Sequence, residues 1–193
     1  MFKIVIADYT LHCLSENLPN NYAKIDSKQA QLVDEIGFDR SSMSPSQHTG
    51  TCFLAVYSQH DERRPVLVVA QRYWPAVSGV FDPGVIFVPE THVLFFGAGT
   101  RILAYKLDIP EKLWEDSADL GFLHWERYGQ WIIMSAETEV AVWDTQGGKR
   151  WSQYVEPPWM YTLESETMNL QIMGKVFTFP VDTGPLSVLN WLD

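Results

Sequence analysis

The sequence is poor in the residue types that betray a chemistry. Only two of its 193 residues are cysteine, Cys13 and Cys52, far apart in the chain. Without an export signal, two such thiols read as reduced rather than bridged. Basic residues are also scarce. Fourteen Lys and Arg stand against 24 Asp and Glu, a formal net charge of −10. Binding to phosphate backbones needs a basic face, which argues against a nucleic-acid partner. Long apolar runs are missing too. No stretch approaches the roughly 20 apolar residues of a membrane helix. The run after Lys3 ends at Asp8, too short for a signal-peptide core. These absences set the expectation of a cytoplasmic chain with no membrane partner.

Catalytic signatures are equally thin. No G-x-S-x-G, H-E-x-x-H or Walker pattern occurs. Phe96-Gly97-Ala98-Gly99-Thr100 is glycine-rich, but a strand follows where a phosphate cradle needs a helix. A hairpin turn explains it better. Neither a cofactor nor a metal is expected.

What is present is apolar and aromatic. Hydrophobic residues make up 46%, enough for a sizeable core. Six of the eight Trp fall between Trp114 and Trp159. Large rings fill cores and anchor interfaces.

Phe2 to Ala7 reads as a strand, and Leu11 to Tyr22 as irregular. Ser27 to Ile36 reads as one short helix. Asp26 caps it, Gln29 sits in its first turn, Leu32, Val33 and Ile36 share a face, and Gly37 stops it. Arg40 to Gly50 is rich in Ser, Pro and Gly, hence loop. Beyond it the pattern turns to strands. Cys52 to Tyr57 and Val66 to Arg72 make one hairpin, Val85 to Val88 and Val93 to Phe96 another. Short strands follow at Arg101–Leu107, Trp131–Ser135, Glu139–Trp143, Met168–Met173 and Val176–Phe179. The expected fold is all-β and mainly antiparallel. Residues 1–50 form an N-terminal segment, and 51–193 form a β-rich repeat region continuous with it.

The repeat is direct. Leu94 to Glu115 aligns without a gap on Trp131 to Ser152 at an offset of 37 residues. Leu103 falls on Val140, Ala104 on Ala141, Tyr105 on Val142, Lys112 on Lys149 and Trp114 on Trp151. A weaker third copy lays Val176–Gly184 over Glu139–Gly147, with Val188 in the place of Trp151. Periods of roughly 20–50 residues mark stacked units whose apolar faces need neighbours to cover them.

Ala141, Gly147 and Trp151, with the Trp ten residues after the Ala, resemble the tryptophan-docking repeat of quinoprotein-like β-propellers. The first copy keeps Ala104 and Trp114 with Pro110 at the turn, and the third keeps Gly184. The resemblance implies a fold type and nothing about quinone binding. A propeller closes with about four to eight blades, and this chain has room for four at most. An open or partial propeller-like meander of blade-like sheets is therefore expected. The C-terminal stretch, through Val155–Trp159, Met173-Gly174-Lys175, Phe179-Pro180 and Thr183–Pro185, is also similar to an uncharacterised family of bacterial proteins. That similarity transfers no activity.

Three clusters are candidate sites. Trp125, Glu126, Glu156, Trp159 and Tyr161 place aromatics and carboxylates on or near loops, where they would hold a protein partner, a basic one above all. The competing reading docks these rings between blades. Asp8, His12, Asp39 and His48 could supply acid and base groups to a small hydrolase, or be plain surface and turn residues. His12, Cys13, His48 and Cys52 offer four N/S ligands, but their spacing matches no zinc motif and a buried thiol is the simpler reading. The leading expectation is a non-enzymatic interaction module, possible as an immunity-type or scaffold protein in bacteria. The alternatives are the hydrolase and a structural repeat that assembles into homo-oligomers.

Overall fold

The computed structural model describes residues 2–15, 18–19, 29–37, 50–73, 82–187 and 189. Its first five strands are β1 (Phe2–Ile6), β2 (Tyr9–Ser15), β3 (Leu32–Ile36), β4 (Gly50–Ser58) and β5 (Asp61–Tyr73). They form one sheet of order β1-β2-β4-β5-β3, antiparallel except where β3 runs parallel to β5.

The short helix expected over Ser27–Ile36 is not there. Among the described residues there is no helix: 29–31 form a turn and bend, and Leu32–Ile36 is strand β3. Ser27 and Lys28 lie outside the described residues. The reason is tertiary pairing. Leu32 to Ile36 lies along an edge that β5 leaves open, opposite Leu67 to Gln71. That ladder outweighs a weak local helix preference. The alternation then sorts the side chains. Leu32 and Ile36 join the main core, and Val33 joins the cluster on the other face. Leu11 to Ser15, expected to be irregular, is also strand, paired with β4 throughout and with β1 as far as Cys13.

Three meanders follow. The first blade is β6 (Gly84–Val88), β7 (Val93–Ala98), β8 (Arg101–Lys106) and β9 (Glu111–Ser117). The second is β10 (Phe122–Tyr128), β11 (Trp131–Ala136), β12 (Glu139–Asp144) and β13 (Lys149–Tyr154). The third has three strands, β14 (Trp159–Glu164), β15 (Thr167–Ile172) and β16 (Lys175–Pro180). The five-stranded sheet packs on the first blade through Leu11, Leu54, Val69, Leu94, Leu103 and Tyr105. First and second blades meet through Phe95, Ile102, Ala104, Phe122, Met134 and Trp143. Second and third meet through Ile133, Val140, Val142, Met168, Leu170 and Phe179. β7 and β11 are buried throughout because each has a neighbour on both faces. That is why they read as apolar runs rather than alternations.

The stack is open among the described residues: no core cluster joins the first sheet to the third blade. The third blade's free face is mixed, with Thr162, Thr167, Asn169, Gln171 and Thr178 beside the exposed Met160 and Val176, and the Thr178 hydroxyl donates to Asn169 Oδ1 at 2.8 Å.

The repeat is real but slips by one residue. Ile102 and Ala104 face forward to the second blade, and Val140 and Val142 face forward to the third. These counterparts lie 38 residues apart, so Ala104 answers to Val142 and not to Ala141. Ala141 faces back toward the first blade. The turn after β12 is one residue shorter than the turn after β8, since Tyr105 pairs with Lys112 but Trp143 pairs with Lys149. The shortening restores the offset of 37 for Lys112/Lys149 and Trp114/Trp151. A gap-free alignment therefore places the tryptophans correctly and flips the strand before them to the wrong face.

Both tryptophans dock on the blade that follows. The Trp114 indole N–H donates to the Gly147 carbonyl at 2.6 Å, and that of Trp151 to the Val181 carbonyl, also at 2.6 Å. The Trp151 ring lies against Gly184, where a methyl group would fall 2.5 Å from a ring carbon.

Candidate functional site

A groove of about 610 Å³ opens between β10, the end of β11 and β14, where the second and third blades diverge. Its walls include His124, Glu126, Glu137, Trp159, Met160 and Tyr161. Strand alternation builds it. Along β14, Trp159 and Tyr161 turn toward the second blade while Met160 and Thr162 are exposed. Along β10, His124 and Glu126 are exposed toward the groove.

The rings of Trp159 and Tyr161 lie nearly parallel, with centroids 6.3 Å apart. The Trp159 indole N–H donates to the Glu137 carbonyl at 2.9 Å, fixing that ring. The Tyr161 hydroxyl donates to Glu126 Oε2 at 2.5 Å. Burial, and then the neighbouring Glu126 carboxylate, push the Tyr161 phenol well above its ordinary value. The phenol therefore keeps its proton and stays a donor. What results is an aromatic wall ending in a carboxylate.

Of the five expected binding residues, Glu126, Trp159 and Tyr161 come together here. Trp125 does not. It points back between the first and second blades, against Phe95, Phe122 and Trp143 at 5.4, 5.4 and 5.5 Å. Glu156 is exposed in the loop before Pro157 and is not part of the groove wall. His124, Glu137 and Met160 were not singled out from the sequence. The alternation of β10 and β14 is the signal that would have found His124.

The N-terminal acid/base candidates are placed differently. Asp8 is exposed in the turn between β1 and β2, and His12 is half-buried within β2, its ring 5.2 Å from Tyr57. Four residues of extended strand put their backbones ~13 Å apart. Asp39 and His48 lie outside the described residues. The zinc reading fares no better for His12 and Cys13, which as strand neighbours point to opposite faces. Cys13 and Cys52 both enter the core against the first blade, and among the described residues no three His, Cys, Asp or Glu converge.

Burial pushes both thiols up to about 12. Cys52 also donates weakly to the Gln71 carbonyl at 3.7 Å. A buried thiol with a raised pKa is a poor nucleophile. An aromatic disulfide reagent at pH 8 is therefore expected to label neither cysteine in the folded protein and both after denaturation. Rapid labelling of the native protein would contradict their placement.

No family model matches the chain, and no curated protein matches it. The chain is similar over part of its length to solved structures. Sqt1 from Saccharomyces cerevisiae is 9% identical, with a TM-score of 0.42 over 69% of this chain and 41% of that one. BamB from Moraxella catarrhalis is 16% identical, with a TM-score of 0.37 over 70% of this chain and 40% of that one. The chain thus spans about two fifths of the length of either. Among the described residues, the sheets define an all-β, open stack of blade-like meanders joined by docked tryptophans.

Proposed function

We propose that this chain is a non-enzymatic protein-interaction module whose blade 2–blade 3 groove takes a basic segment of its partner. One observation carries the reading: Trp159 and Tyr161 line an open groove with Glu126 held at their end. A guanidinium or ammonium group lying along such rings gains a cation–π attraction, and the carboxylate supplies its counter-charge. The net charge of −10 adds long-range steering of a basic partner. An acidic immunity-type or scaffold protein in the bacterial cytoplasm is the particular form this reading takes. Strand addition at β16, one of the sheet edges, is less favoured, because β16 carries Lys175 and Pro180, residues that blunt it.

The test uses a fluorescein-labelled Arg-Gly repeat nonapeptide and its Glu-Gly counterpart, followed by anisotropy. The Arg peptide is expected to bind saturably and the Glu peptide not at all. Glu126→Lys is expected to weaken binding about tenfold or more and, because the Tyr161 hydroxyl loses its acceptor, to lower the unfolding midpoint modestly. An Arg peptide that never saturates, or that binds Glu126→Lys as well as the parent, would sink the proposal.

A further inference from the structure

A second, smaller cavity lies on the first sheet, on the face turned away from the blades. It encloses about 260 Å³ and is lined by Lys3, Thr10, His12, Tyr57 and Arg63. The register explains the grouping. Lys3 stands opposite His12 across β1 and β2, and Thr10 stands opposite Tyr57 across β2 and β4. Alternate residues of β2 share a face, so Thr10 and His12 point outward while Tyr9, Leu11 and Cys13 enter the core. Thr10 is buried, His12 and Tyr57 are half-buried, and Lys3 and Arg63 are exposed at the rim.

The charge there is opposite to that of the chain. Among the described side chains, no carboxylate lines the cavity. Five cations elsewhere pair with carboxylates: Arg101 with Glu115, Lys106 with Asp108, Lys112 with Asp34, Arg127 with Glu90 and Lys149 with Asp116, while Arg150 lies over the Trp131 ring. Among the described residues, no carboxylate pairs with Lys3 or Arg63. An acidic protein that gathers a lysine, an arginine and an imidazole around one concavity, with two hydroxyls between them, has a seat for an anion.

We propose that this cavity binds the phosphate group of a small phosphorylated molecule. The Arg63 guanidinium offers a planar fork that suits two phosphate oxygens, and the Lys3 ammonium adds a point charge. The hydroxyls of Thr10 and Tyr57 and an N–H of His12 donate to the remaining oxygens. The volume falls just below the roughly 300–1,000 Å³ of pockets for drug-sized ligands, which fits a compact metabolite.

The experiment is an NMR titration of the full ¹⁵N-labelled chain at neutral pH and constant ionic strength. The probes are inorganic phosphate, glucose 6-phosphate, and sodium chloride as control. Saturable shifts are expected at the amides of Lys3, Thr10, His12 and Tyr57 with both phosphates and not with chloride. Tighter binding of glucose 6-phosphate points to an organic phosphate, and equal binding to the free ion. Lys3→Gln and Arg63→Gln are each expected to weaken binding about tenfold with an unchanged melting midpoint in the absence of phosphate. If one variant fails to fold, the other decides. Shifts that do not saturate, that chloride reproduces, or that survive both substitutions would overturn the site.

Discussion

Trp143→Ala is expected to destabilise the fold by about 3–5 kcal/mol. Trp143 is 1% exposed and sits where the first two blades share a wall. Trp114 of the first blade stacks on it at 5.5 Å and 18°, and Trp125 of its own blade meets it edge-on at 5.5 Å. Truncation removes the apolar area and leaves a cavity that two rigid sheets cannot close. It also strips Trp114 of the ring it leans on, so the loss reaches the docked indole. Urea unfolding should show a much lower midpoint at unchanged slope. Trp143→Phe should recover a good part of the loss. A midpoint for Trp143→Ala within experimental error of the parent would mean that the two blades are not packed as described.

Gly184→Ala is expected to cost about 2–5 kcal/mol, from a left-handed backbone and a steric clash together. Its φ is +66°, and a Cβ there would lie 2.5 to 2.8 Å from three carbons of the Trp151 ring. Neither partner can give way freely. The indole is tied to the Val181 carbonyl and packs edge-on against Phe179 at 5.6 Å. Gly174→Ala is the matched control. Its φ is +86°, yet nothing lies within 4 Å of the added methyl group. The control should therefore show only the backbone part, about 1–2 kcal/mol. The excess in Gly184→Ala measures the docking contact. Equal losses at the two sites would mean that Trp151 does not rest on that turn.

Much of this fold was legible in the sequence, and the failures have physical causes. Hairpins such as Val85–Val88 with Val93–Phe96 showed because their strands are close in the chain and joined by a short turn. The β3–β5 pairing did not, because Leu32 meets Leu67, a partner far along the chain that leaves no local trace. The residues of that strand, Leu32, Val33 and Ile36, fit a helical stripe as well as a strand. The tryptophan repeat was visible as Trp114 and Trp151, but a turn shorter by one residue hid the true register of the strands before them.

The groove was read in part for a similar reason. Trp159 and Tyr161 are two apart and share a face, so grouping them was sound. Trp125 and Glu126 are adjacent, and a strand sends neighbours to opposite sides. One belongs to the core and the other to the groove, a separation that the pair Trp-Glu does not announce. Glu137 enters only because the chain returns along β11, which no local pattern reveals.

The account rests on each blade sealing the next through an indole. Hydrogen exchange at the indole N–H of Trp114 and Trp151, followed by NMR in the native protein, tests this most directly. Both protons donate to a turn carbonyl of the following blade at 2.6 Å, so both should exchange far more slowly than a free indole, and Gly184→Ala should release the proton of Trp151 while leaving that of Trp114 protected. Exchange of either proton in the parent protein at the rate of a free indole would contradict the docked stack.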